Sequence, residues 1–283
     1  MSAVSVAPST PLPKATSVPF GRLVLVEWRK MTDTRGGFWL LLSTVILLLL
    51  FFGGALAIVG FSDFEATAAT WSSIFSVPLS LLVPVFAITI VTQEWGQRTA
   101  MVTFALEPSR LKVVLAKLVT VVLLGVAVIA AAFALGALGN VIGATLLGTD
   151  AVWDLTVKDA AWSLAFQILY LLMGFGFGLV FLSTPAAVAL YYIYNQILSR
   201  SIIGISVVTG LYVAFDWAKD ILPWIDIQLA MLPFVSADTI TELTGTQVDI
   251  GAVDYGRLVT SIGLWVVLPI GLGIWRLLRA EVK

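Results

Sequence analysis

TQEWGQRTAMVTFALEPSR, Thr92 to Arg110, lies between two long apolar runs and carries two acids, two bases and a proline. An ionised side chain near mid-membrane costs ~2.5–3.5 kcal/mol, so hydrocarbon rejects this stretch. It is nevertheless too long and too patterned for a turn. Its neighbours decide what it is. Ile74–Thr92 and Val113–Leu147 each approach or exceed the ~20 mainly apolar residues that a membrane-crossing helix takes. The stretch is therefore a connection outside lipid.

Applied to the whole chain, the same criterion predicts six spans: Phe38–Gly60, Ile74–Thr92, Val113–Leu147, Ala161–Leu182, Pro185–Phe215 and Leu258–Leu278. The third and fifth exceed the minimum, so each tilts, bends at glycine or runs beyond the lipid. Composition agrees. Of 283 residues 59% are hydrophobic and 12% charged, with a mean hydropathy of +1.02. A soluble domain could not cover that much apolar surface. The expected fold class is an all-α integral membrane protein, with residues 38–283 forming its transmembrane domain. A formal net charge of −1 argues against nucleic acid as a partner. The chain has no cysteine, which excludes disulfides and thiol chemistry. It has no histidine either, which removes the commonest proton shuttle and metal ligand.

An even number of spans puts both termini on one side, and basic residues say which. Lys14, Arg22, Arg29, Lys30, Arg35, Arg98, Arg110, Lys112, Lys117, Arg276, Arg279 and Lys283 all fall on one face. The opposite connections hold only Lys158, Lys219 and Arg257, among acids such as Asp63, Glu65, Asp150, Asp154, Asp216, Asp220 and Asp226. The bias predicts cytoplasmic termini, and it places Thr92–Arg110 in the cytoplasm. The Ser-, Ala- and Pro-rich residues 1–19 read as a disordered cytoplasmic tail, not a cleaved signal peptide.

Residues 20–37 precede the first span. Phe20, Val24, Trp28 and Met31 recur at helical spacing with Leu23 beside them, while Arg22, Arg29 and Lys30 take other faces. This predicts a helix lying in the interface, anchored by Trp28, Arg29 and Lys30; the alternative is a basic flank that only sets orientation. In the outer connection, DWAKDILPWIDIQLAMLPF (Asp216–Phe234) predicts short helices broken at Pro223 and Pro233. SADTITELTGTQVDIGAVD after it, residues 236–254, reads as a solvated loop. Between the fourth and fifth spans only Ser183, Thr184 and Pro185 are available, enough for a tight helical hairpin.

Chemistry within the chain is sparse. No glycine precedes a lysine, so a GxxxxGK[ST] phosphate loop is absent. The acids lie outside the spans or at their edges, which disfavours intramembrane aspartyl proteolysis. A surface enzyme working through Asp63, Asp150 or Asp226 has no motif behind it. Gly174/Gly178 and Gly139/Gly143 have the spacing of close helix approach. Pro78 and Pro84 in the second span each release a backbone hydrogen bond. In the fifth span Tyr191, Asn195, Gln196 and Arg200 interrupt an apolar run. They line either a route or subunit interface, or an internal hydrogen-bonded buttress.

Gln93–Leu106 reads as a short helix with Trp95, Thr99, Val102 and Leu106 along one stripe, ended by Pro108. Here the chain resembles permeases of the type-2 export family of ATP-binding-cassette transporters. The likeness rests on a T-x-E…T…L…P-x-R…K pattern, met by Thr92, Glu94, Thr99, Leu106, Pro108, Arg110 and Lys117. It extends to an E-x-x-K in the N-terminal segment, Glu27 to Lys30. Many relatives have glycine directly before the threonine, where this chain has Arg98. The resemblance implies an N-terminal elbow helix, six spans, a coupling helix between spans two and three, and short outer helices before span six. It also implies two cytoplasmic ATPase subunits that carry ATP and Mg, a second permease chain, identical or homologous, and no cofactor in this chain. Glu94, Trp95, Arg98, Thr99, Pro108 and Arg110 would then form the ATPase-facing interface, in the plasma membrane. A lipid-modifying membrane enzyme and a non-transporting scaffold or sensor subunit are the alternatives.

Overall fold

The computed structural model describes residues 18–62, 64–199, 216–235 and 250–279. Residues 1–17, Asp63, Arg200, residues 201–215, residues 236–249 and the last four residues lie outside them. Among the described residues the fold is entirely helical, and five helices are long and apolar enough to cross a membrane. These are α2 (Arg35–Ser62), α3 (Ala68–Gly96), α5 (Arg110–Leu147), α6 (Val157–Phe181) and the continuous run Ala252–Arg279. That run is built of α10 (Ala252–Ile262), a π-helical segment (Gly263–Val267) and α11 (Leu268–Arg279). The expected fifth span begins as α7 (Thr184–Tyr192), continues as π-helix to Ser199, and then leaves the described residues.

α3 is the central post. Trp71, Phe75, Leu79, Val83, Phe86 and Ile90 are buried along it, against α5 on one side and α6 on the other. Glycine permits the close approaches. A Cβ on Gly174 of α6 would lie 2.6 Å from the Pro84 carbonyl oxygen, and one on Gly139 of α5 would lie 2.7 Å from the Trp71 ring. The GxxxG spacings are packing surfaces. Pro78 and Pro84 both sit inside α3. Proline at 84 removes the amide that would bond the Ser80 carbonyl, and the Tyr191 hydroxyl donates to that carbonyl instead, at 3.4 Å.

α1 (Phe20–Thr32) is a separate helix before α2. Thr34 joins the two: its hydroxyl donates to the Lys30 carbonyl at 2.8 Å and accepts from the Gly37 amide at 3.2 Å. α1 lies on α5, where the Thr120 hydroxyl donates to the Val24 carbonyl at 3.2 Å and the Lys112 ammonium to the Val18 carbonyl at 2.7 Å. The face it buries includes Glu27 and Met31.

Before the last span, α8 (Asp216–Ile225) and α9 (Ile227–Val235) are two short helices. Pro223 and Pro233 lie inside them near their C-terminal ends, not at the break. The break is at Asp226, whose carboxylate accepts from the Gln228 and Leu229 amides at 2.9 and 3.0 Å and so caps α9. Each proline forgoes one i→i−4 hydrogen bond and the helix nevertheless continues past it, whereas the aspartate offers the next helix a ready cap. α6 and α7 form the expected tight hairpin, with Leu182 in left-handed conformation (φ 52°) between them.

Candidate functional site

Four charged side chains meet beneath the connection between α3 and α5. The Lys30 ammonium lies 2.6 Å from a carboxylate oxygen of Glu27 and 2.6 Å from one of Glu94. The Lys117 ammonium lies 2.7 Å from the other Glu27 oxygen and 3.3 Å from Glu94. Acid and base alternate around the ring, and its net charge is zero. Glu27, Glu94 and Lys117 are buried, and only Lys30 reaches solvent, with a side chain 30% exposed. Two further bonds satisfy the group: Lys117 donates to the Ile90 carbonyl at 3.0 Å, and the Thr103 hydroxyl donates to Glu94 at 3.0 Å. Charges this buried persist only when paired and hydrogen-bonded. The quartet draws on α1, α3 and α5 directly, and through Thr103 on α4 (Ala100–Leu106).

Burial pushes the Lys30 ammonium toward a lower pKa, but the carboxylates of Glu27 and Glu94 outweigh it and hold it above the usual 10.5. A lysine raised on folding stabilises fully below its unfolded value and loses that only as pH climbs through the folded one. Lys30 thus remains an ammonium across the neutral range.

α4 is shorter than the helix expected over Gln93–Leu106. α3 continues to Gly96, and the chain then turns at Gln97–Thr99 before α4 starts. The turn depends on Arg98, which takes the left-handed conformation (φ 57°). Its amide donates to the Trp95 carbonyl at 3.3 Å, and the Thr99 amide to the Glu94 carbonyl at 2.9 Å. A non-glycine residue there costs ~1–2 kcal/mol, against ~0.5–1 kcal/mol of extra chain entropy for glycine. Arg98→Gly is accordingly expected to raise the thermal midpoint slightly, and β-branched Arg98→Val to lower it. A glycine variant melting below wild type would show the turn unstrained.

The other sequence-derived residues divide. Glu94 and Lys30 join the quartet, so Lys30 turns inward while Arg29 is exposed and Trp28 packs against the core. Thr99 and Pro108 are exposed, and Trp95 packs on the α3–α5 core. Arg110 turns toward the end of α11: it donates to the Leu277 carbonyl and stacks 5.3 Å over the Phe104 ring. Tyr191 and Asn195 are fully buried within this chain. Asn195 donates to the Tyr191 hydroxyl, and Gln228 of α9 donates to the Asn195 carbonyl at 2.9 Å. One residue before Asn195, Tyr194 stacks on Trp265 at 3.6 Å between ring centroids, joining the two π-helical segments. Gln196 is half-buried, and Arg200 lies outside the described residues.

Lys117, Thr103 and buried Glu107, which pairs with Lys112 at 3.4 Å, were not singled out as site residues from sequence. One signal for Lys117 was present: a lysine seven residues into a 38-residue apolar helix demands a partner. A cavity of about 690 Å³ opens beside the quartet between α1, α4 and the start of α5, bordered by Arg22, Val26, Lys30, Glu94, Val102 and Leu106. The chain matches no protein-family model, no curated protein and no solved structure.

Proposed function

We propose that the chain is the membrane-spanning permease subunit of an ATP-binding-cassette exporter. Separate cytoplasmic ATPase subunits seat on the 93–110 stretch, and a second permease chain completes the transporter. One observation carries this reading. α4 turns Met101, Val102 and Leu106 outward, 54%, 60% and 74% exposed, while its Thr103 is bonded into the quartet. Force applied to α4 therefore reaches α1, α3 and α5 together. The charge bias supports the orientation, because α1, α4 and the basic end of α11 would face the cytoplasm, where ATP is available. The apolar composition of the spans favours a hydrophobic or amphipathic substrate moved outward.

Val102→Asp with Leu106→Asp tests it. Both side chains project from the fold, so the thermal midpoint should stay within about 2 °C of wild type. Co-purification of the ATPase subunits should fall by about tenfold or more, as for the loss of an interface anchor. Wild-type recovery of ATPase and wild-type ATP turnover in the double variant would remove α4 as the docking element.

A further inference from the structure

At the end of the bundle opposite the quartet, Asn140 of α5 is fully buried. Its amide nitrogen donates to the Val152 carbonyl at 2.9 Å, and the Ala68 amide donates to the same carbonyl at 3.0 Å. Its side-chain oxygen, equally buried, meets no donor among the described residues. Buried amide oxygens are ordinarily satisfied, so an orphan marks a missing partner. Asn140 borders a cavity of about 20 Å³ shared with Glu65, Thr67, Thr149, Asp150 and Val152. That volume holds a single water or a single monatomic ion.

We infer that this cavity is a calcium site, independent of the transport reading above. Its lining offers the Asn140 amide oxygen, the Glu65 and Asp150 carboxylates and the Thr149 hydroxyl, with the Thr67 hydroxyl that also caps α3, beside apolar Ala66, Ala144 and Leu147; the polar members are hard oxygen donors. Such a set selects a hard cation. Among the described residues Glu65 and Asp150 form no salt bridge, so their two negative charges match a divalent ion. Magnesium demands a near-ideal octahedron and gives up its waters reluctantly, whereas calcium accepts six to eight oxygens in irregular array, which suits donors brought together from separate segments. The ion would join the connection before α3, which supplies Glu65 and Thr67, to the connection after α5, which supplies Thr149 and Asp150. Both acids are exposed, which leaves the ion open to solvent and the affinity in the ~10⁻⁴–10⁻³ M range of extracellular calcium modules.

The test uses the full chain in detergent, stripped with EDTA and titrated with calcium chloride to about ten times that affinity. A saturable rise in thermal midpoint of about 2–6 °C is expected, larger than with magnesium chloride at equal ionic strength. Glu65→Gln with Asp150→Asn should match wild type in EDTA, because both positions are exposed, and should lose the calcium response. A calcium-independent midpoint would leave a water at Asn140 and overturn the site. An equal response to magnesium, or an undiminished calcium response in the double variant, would overturn it as well.

Discussion

Lys117→Met is expected to lower the thermal midpoint by about 6–20 °C, the shift for ~3–5 kcal/mol in a chain of this size. The change leaves Glu27 and Glu94, both buried, with Lys30 as their one counter-charge, and it strips the Ile90 carbonyl of a donor. An uncompensated buried carboxylate is what makes half of an ion pair worse than none. Glu27→Gln added to Lys117→Met restores a neutral Lys30–Glu94 pair. The double variant should therefore melt above the single one, with a coupling of ~1–3 kcal/mol. Limited proteolysis after Arg22 and Arg29 should track release of α1 in the single variant alone. Equal melting of single and double variants would mean that the four charges do not act as a unit.

Gly174→Ala is expected to cost ~1–3 kcal/mol by overpacking, although it adds only one methyl group. The new Cβ would stand 2.6 Å from the Pro84 carbonyl oxygen and 3.0 Å from the Pro84 Cα, both of them backbone atoms. No side-chain rotation relieves such a contact, so α3 and α6 must separate. Gly54→Ala is the control, since a Cβ there meets nothing within 4 Å. Helix propensity alone then favours alanine by up to ~1 kcal/mol. The two variants should move the midpoint in opposite directions. A Gly174→Ala protein as stable as wild type would show the α3–α6 approach to be loose.

Apolar run length made the spans legible because hydrocarbon thickness sets a length that each helix must meet. Phe38–Gly60 became Arg35–Ser62 and Ala161–Leu182 became Val157–Phe181, differing only at the ends. There polar residues continue the helix past the lipid criterion, as Thr67 and Thr156 do by capping α3 and α6. The quartet was not legible. Hydropathy counts Glu94 and Lys117 as flanking charges, and no periodicity links Glu27 to a lysine 90 residues away. The E-x-x-K and T-x-E…K patterns contained all four residues but did not say that they meet. Arg98 was visible only through the glycine expected in its place, because an arginine carries no local sign of positive φ. Before the last span Pro223 and Pro233 are the louder sequence signals, yet Asp226 marks the break by capping α9.

The link between Glu27 and Lys117 also sets a timetable. A nascent chain emerges at roughly 5–20 residues per second. At that pace the 90 residues between them keep α1 waiting roughly 5–20 s for its partner. Until Glu94 emerges, Glu27 and Lys30 have only each other, and α1 has no α5 to lie on while α2 and α3 form. Docking of α1 is thus the last step among the first five helices. A ribosome stalled before residue 117 is exposed should leave α1 open to a water-soluble label, and one stalled after the second half of α5 has emerged should protect it.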